Sequence, residues 1–396
     1  MLLVSIFGGI IIVAFFVIRL AQGYRPDFST KSFKPTGLLV ATSIPDGAQL
    51  WIDGKLRSAT NTTLNLTPGK YEVEIKKDGF TSWKKTLQLK KELVTQTDAY
   101  LFSTYPNLTA LTFTGVVNPL LSPDGQRVIF AVSEASAGKN GLWVLDLADR
   151  PLGFPRGPRQ IIASAAGGRN FAKGIYVWPP DSKQILLTLE NRPGPGGKAI
   201  TENFLLDTDK LNLDVNLVDI SPTLLLNKER WEEEEAIRKE AQISKLPKKL
   251  LEIIGSSVEN LQFSPDETKI LYTATASASI PEEIIPPFPT ASTQPESRQI
   301  EPGKIYVYDL KEDRNFYIMD KGNGRNLSWF PTSRHLFFVE EDKATIIEYD
   351  GTNQVVVYSG PFENTFAFPF PAGNRILVLT TIGKDTPANL YAISLR

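Results

Sequence analysis

Leu121-Ser122-Pro123-Asp124-Gly125, Trp178-Pro179-Pro180-Asp181, Phe263-Ser264-Pro265-Asp266, Trp329-Phe330-Pro331-Thr332 and Phe368-Pro369-Phe370-Pro371 are five versions of one unit. In each, an apolar strand end meets a Pro-centred turn and a new apolar strand begins. Proline presets the turn, the Asp carboxylate caps free backbone N–H groups, and the aromatic residue fills the space between neighbouring sheets. A unit of this size cannot bury its apolar face alone, so repetition predicts a ring or array of small sheets. The strand pairs expected are 127–132 with 142–147, 184–189 with 204–207, 269–273 with 304–310, 334–339 with 345–349 and 375–380 with 389–395. Outer strands are expected at 159–163, 215–220, 315–319 and 354–358. The fifth unit has none after it, and 110–114 is placed to supply the missing edge and close the ring. The expected fold is all-β, with a propeller over residues 105–396; five blades are read, and six is the alternative count.

Upstream, short alternating strands at 38–42, 49–52, 70–75 and 86–89 are separated by Pro45-Asp46-Gly47, Asp53-Gly54, Thr67-Pro68-Gly69 and Asp78-Gly79 turns. That pattern predicts a small antiparallel sandwich. The run Ser43-Ile44-Pro45-Asp46-Gly47-Ala48, followed by Thr67-Pro68-Gly69-Lys70-Tyr71 and Lys77-Asp78-Gly79-Phe80, resembles a PEGA domain over residues 37–102. Asp46 stands where that family's namesake tetrapeptide has Glu, which leaves the turn chemistry intact. The Pro-Asp turns with the later strands 142–147 and 305–310 resemble the WD40-like repeats of TolB-type propellers. The first resemblance implies a cell-envelope protein whose bulk is extracytoplasmic, bacterial or archaeal.

Leu2 to Ile18 carries no charge. Seventeen residues rise about 26 Å as a helix, near the lower limit for a bilayer core. The expectation is a single-pass anchor over 1–19 with a spacer at 20–36; the rival is a signal peptide cleaved near Ala21-Gln22-Gly23. Arg19, Arg25, Lys31 and Lys34 follow the helix and no basic residue precedes it, which by charge alone would place the body in the cytoplasm.

Two insertions interrupt the repeat. Residues 227–255 hold a charged helix with Glu234–Arg238 and Glu235–Lys239 spacing, then a break at Pro247 and a second short helix ending at Gly255. Residues 276–303 are rich in Pro and small polar residues and are expected to form a long mobile loop. Trp231, Ile284, Ile285 and Phe288 are apolar groups within these polar segments, which makes them the candidate partner contacts; folding back onto the sheets is the alternative.

The chemistry a sequence can advertise is sparse here. The chain of 396 residues has net charge −1, no Cys and one His, which gives no footprint for nucleic acid and no thiol nucleophile. Residues 191–199 look like a phosphate-binding loop but put Arg192 and Ala199 at two essential positions. Asp207, Asp209 and Asp214 have calcium-like spacing broken by Leu211 and Asn212 and read as a polar turn. His335 reads as a sheet histidine, and the lysines at 70, 76, 77, 84, 85, 90 and 91 read as an outward face of the sandwich. No catalytic, metal-binding or cofactor residue is assigned. The expected function is a non-catalytic, membrane-anchored scaffold binding a protein or surface polymer; the alternative is a carbohydrate-acting hydrolase with paired carboxylates in the propeller channel.

Overall fold

Side-chain capping of turns organises this chain. Ser122 Oγ donates to Asp124 Oδ1 at 2.6 Å and accepts from the Arg127 N–H at 3.0 Å, while Asp124 Oδ1 accepts from the Gln126 N–H at 3.0 Å. Ser264, Asp266, Thr268 and Lys269 repeat the arrangement. The Asp residues of the repeat are therefore held by structure, as the turn chemistry predicts. The computed structural model describes residues 2–21, 24–27, 32–133, 138–148, 157–164, 168–193, 199–286, 288–289, 292–322, 327–384 and 386–396.

Five antiparallel sheets follow one another. Sheet I contains Val117–Leu121, Arg127–Val132, Gly141–Asp146 and Arg159–Ala163; sheet II contains Ile175–Val177, Gln184–Pro193 and Ala199–Asp207. Sheet III is Val258–Phe263, Lys269–Ala274, Lys304–Asp309 and Arg314–Asp320, and sheet IV is Ser328–Trp329, His335–Glu340, Lys343–Glu348 and Val355–Ser359. Sheet V joins Ala367–Pro369, Arg375–Thr380 and Asn389–Ser394 to Leu108–Ala110, which pairs antiparallel with Tyr391–Ile393. The closing edge strand thus lies slightly N-terminal to the 110–114 expected.

Shared cores give the sheets their order. Ile129 and Val144 of sheet I meet Ile185 and Phe204 of sheet II, and Val128 and Phe130 on the other face meet Leu377 and Leu379 of sheet V. Phe337 and Ile346 of sheet IV pack on Ile376 and Val378 of sheet V, and Leu336 and Phe338 pack on Leu271 and Val307 of sheet III. Among the described residues, no buried apolar cluster joins sheets II and III. The free face of sheet III is covered instead by the inserted helix Lys248–Ser257 and by Ile280 and Ile300 of the Pro-rich insertion.

Helix α1 spans Leu2–Ala21, α2 spans Leu224–Ile243 and α3 spans Lys248–Ser257. Leu250 and Ile254 of α3 are buried against Ile270, Tyr272 and Tyr306. Helix α2 has no buried residue; its Gln242 Nε2 donates to Glu267 Oε1 at 3.3 Å, and Lys245 just beyond its end pairs with the same carboxylate. Ile10, Ile11, Ile12 and Val13 step round α1 by about 100° each, and each is 59–62% exposed. Among the described residues, no helix is long and apolar enough to cross a membrane.

The N-terminal sandwich has a three-stranded sheet, Thr62–Leu66, Gly37–Ile44 and Val94–Tyr100, facing a four-stranded sheet, Lys55–Ala59, Gln49–Ile52, Gly69–Lys76 and Trp83–Leu89. Leu39, Leu50, Val73, Ile75 and Leu89 fill its core. The unit is mixed where pure antiparallel pairing was expected: Gly37–Ile44 runs parallel to Val94–Tyr100. Apolar alternation reports which face of a strand is buried and is blind to its direction.

One further expectation is corrected, and two segments gain detail. Residues 215–220 form no fourth strand of sheet II; Asp214–Asn216 is a 3₁₀ turn. Asp219 Oδ1 accepts the N–H groups of Asn203 and Ser221, each at 3.0 Å, so a local cap takes the ladder donor that a paired strand would need. The spacer 20–36 includes a paired segment, Arg25–Asp27 with Ser32–Lys34. The Pro-rich insertion is pinned: Ala278–Ser279 pairs with Gln299–Ile300, and Arg298 binds Glu296 at 2.9 Å and Asp313 at 3.2 Å. Gln22 and Gly23 of the suggested cleavage site, and 194–198 of the phosphate-loop lookalike, lie outside the described residues.

Candidate functional site: a cavity between the sandwich and sheets III and IV

Strand Trp83–Leu89 alternates, so Trp83, Lys85, Leu87 and Leu89 share its inner face. Trp83, Leu87 and Leu89 are core, and Lys85 is carried inward with them; its side chain is 11% exposed. Its ammonium reaches across to sheet IV, where it meets Asp350 Oδ2 at 2.5 Å and the Glu348 carboxylate. Trp83 Nε1 donates to Glu348 Oε1, and Asn353 Nδ2 donates to the same oxygen at 3.1 Å. Asp350 Oδ1 accepts from Thr352 N–H at 3.1 Å and Thr352 Oγ1 at 2.6 Å. Burial works against the Lys85 charge, but the two carboxylates outweigh it and hold its pKa above the usual lysine value. Burial pushes the Glu348 carboxyl up against the opposing pull of Lys85.

The remaining contacts make the two β units one block. Arg334 of sheet IV bridges Asp98 of the sandwich at 2.6 Å. Burial raises the Asp98 carboxyl, yet hydrogen bonds from Thr42 and Gln96, with Arg334 alongside, bring it below its ordinary value. Tyr100 Oη donates to Gly373 O at 2.9 Å, and Tyr100 and Phe102 belong to the core of sheets IV and V. His335 is buried with Nδ1 3.0 Å from Thr332 Oγ1, and the rings of Tyr100, Phe102 and Phe330 stand edge-on around it. Burial first, then the charges of Lys85 and Arg334, lower its pKa to about 3. His335 is thus the neutral sheet histidine that its strand context predicts.

Between these contacts lies a cavity of about 880 Å³. Strand Val94–Tyr100 contributes Val94 to Asp98 to one wall, sheet III contributes Lys269, Asp309 and Glu312, and the Pro-rich insertion contributes Ile285, Phe288 and Gln294. Lys269 lies 3.5 Å from Asp309 and over the Tyr349 ring. Asp309 Oδ1 also caps the N–H groups of Lys311 and Glu312. Glu312 accepts from the Ser292 N–H at 2.7 Å, and burial raises its pKa. The insertion is held over the cavity by Gln294 Nε2 donating to Thr86 O at 2.8 Å and Gln88 N–H donating to Thr293 Oγ1 at 3.1 Å.

The candidate contact residues are not brought together. Ile284 and Ile285 are half-buried against the apolar cluster of sheet III and α3, Phe288 is exposed at the cavity wall, and Trp231 is half-buried on α2. Asp207, Asp209 and Asp214 serve a polar turn: Arg127 and Lys210 pair with Asp209 and Asp207, and Arg169 pairs with Asp214 at 2.5 Å. Among the described residues, no cluster of His, Asp and Glu could hold a metal ion. Lys85 is the residue that sequence reasoning missed, because it was grouped with the outward lysines. The period-two company of Trp83, Leu87 and Leu89 was the signal that marks it as inward.

Solved structures with similar outlines include a TolB structure from Agrobacterium tumefaciens, 14% identical, covering 72% of this chain and 73% of the other, at a TM-score of 0.21. TolB from Acinetobacter baumannii is 12% identical over 83% of this chain and 60% of its own length, at 0.22. An auxiliary nutrient binding protein from Bacteroides thetaiotaomicron is 10% identical, covering 88% and 78%, at 0.19. No curated protein matches the chain. The N-terminal sandwich, residues 36–103, matches the PEGA domain family.

Proposed function

We propose that this chain is a non-catalytic scaffold of a cell envelope, anchored to a membrane through α1, whose five sheets are the blades of a propeller interrupted between the second and third by α2 and α3. The observation that carries the reading is the use made of the converging carboxylates. Glu348 and Asp350 converge on one point at the junction with the PEGA-like sandwich, and both are spent on its Lys85. A buried pair committed to an internal cation fixes geometry rather than moving protons. The role so described is display: a rigid block presents the cavity wall, Phe288 and the projecting α2 with Trp231 to a protein or surface polymer. An α1 with apolar side chains exposed round its circumference supports lipid contact, and the PEGA match supports an extracytoplasmic body.

Cross-linking and affinity capture from native membranes test this reading, comparing the intact chain with Phe288→Glu and Trp231→Glu. The expected outcome is a recovered partner with the intact chain and weaker recovery with at least one variant. Hydrolysis of a glycan by the purified chain, lost in Glu348→Gln, would replace the scaffold with the enzyme reading.

A further inference from the structure

The PEGA-like sandwich presents two edge strands to the cavity, and only one of them is protected. On Trp83–Leu89, the outward backbone groups are capped from the other unit: Lys84 N–H by Asn353 Oδ1 at 2.9 Å, Thr86 O by Gln294 and Gln88 N–H by Thr293. On Val94–Tyr100, the parallel pairing opens with Leu38 N–H to Leu93 O and closes with Leu101 N–H to Ile44 O, both at 2.9 Å. That phase turns the backbone groups of odd-numbered residues toward Gly37–Ile44. Those of Val94, Gln96 and Asp98 face the open side, and these residues line the 880 Å³ cavity. Thr97, 4% exposed, lines it too, and its Oγ1 has no hydrogen-bond partner among the described residues.

We infer that Val94–Tyr100 is a strand-addition site for an extended segment of a partner polypeptide. An unpaired edge offers donors and acceptors alternating along a strand, a pattern that another extended backbone matches. The cationic Lys85, Lys269 and Arg334 of the lining are each paired with a carboxylate of this chain, so those three cations are already engaged and the edge backbone carries the recognition. At the mouth, Val94 and Phe288 are 44% and 53% exposed and offer apolar contact to alternate residues of the incoming strand. This inference rests on the scaffold reading and names the class of partner: a polypeptide bound through its main chain.

The test uses the full chain in detergent and a panel of capped eight-residue peptides alternating Thr with Val, Ile or Phe, with terminal Lys pairs for solubility. Amide hydrogen exchange is followed residue by residue. In the free chain Val94, Gln96 and Asp98 exchange at least tenfold faster than Thr95, Thr97 and Ala99, and a binding peptide slows the first set at least tenfold. Gln96→Pro removes one edge donor and weakens that peptide at least tenfold, whereas Gln96→Ala stays within twofold. Equal protection of both sets in the free chain, or no peptide slowing the even-numbered amides, overturns the inference. Undiminished capture of a native partner by Gln96→Pro overturns the edge while leaving the scaffold reading standing; failure of the intact chain to capture anything overturns the scaffold reading itself.

Discussion

Lys85 of the sandwich and Asp350 of sheet IV, 265 positions apart, meet at 2.5 Å in a site from which solvent is nearly excluded. An ammonium shared by two buried carboxylates is costly to remove, because both anions then stay behind without a counter-charge. Lys85→Met is expected to destabilise the chain by about 3–5 kcal/mol, read as a lower melting temperature. Adding Glu348→Gln to that variant removes one of the stranded charges and should recover part of the loss. A Lys85→Met chain as stable as the parent would show that the junction is not held electrostatically.

His335 makes the fold acid-sensitive. Its pKa falls from 6.5 to about 3 on folding, so the unfolded chain binds a proton that the folded chain refuses. The stabilisation is complete above pH 6.5 and is lost as pH falls toward 3, at about 1.4 kcal/mol per unit within that window. His335→Phe should flatten the His-dependent part of the stability profile between pH 6 and 4. An unchanged slope would assign the acid sensitivity to the carboxylates instead.

Glu312 has the opposite sign. Burial raises its pKa, so its contribution favours the folded state below the ordinary carboxyl value and fades as pH rises through the folded one. Glu312→Gln keeps an oxygen for the Ser292 N–H and removes the buried charge. Its melting temperature should exceed the parent's at pH 7.5 and match it near pH 4. A lower melting temperature at pH 7.5 would contradict this.

The closing edge of sheet V depends on Thr112, whose buried Oγ1 donates to Asn389 Oδ1 and accepts from the Leu390 N–H, both at 2.9 Å. Thr112→Val keeps the shape and strands both partners, an expected loss of about 1–3 kcal/mol. Faster amide exchange at Leu390 and Ala392 would locate that loss to the strand Leu108–Ala110 covers.

Turn chemistry made much of this architecture legible, because Ser122 with Asp124 and Ser264 with Asp266 act on neighbours within a few residues. Leu108–Ala110 was anticipated to within a few positions, since a last sheet without an outer strand demands one. Other features depend on long-range partners that local pattern cannot name. Residues 215–220 have the apolar content of a strand but lose their ladder donor to Asp219. The Pro-rich insertion reads as loose until Thr86 and Gln88 supply it with partners. The cavity was invisible for the same reason: its walls are 83–98, 269–312 and 334–349, and only docking brings them together.

A photo-reactive residue placed at Gln96 of the intact chain in native membranes tests the binding-scaffold account most directly, with the same probe at Lys55, on an edge strand of the facing four-stranded sheet, as its control. The account predicts a covalent adduct with a partner polypeptide from position 96 that is absent or much weaker from position 55. Equal adducts from both positions, or none from position 96, would contradict it.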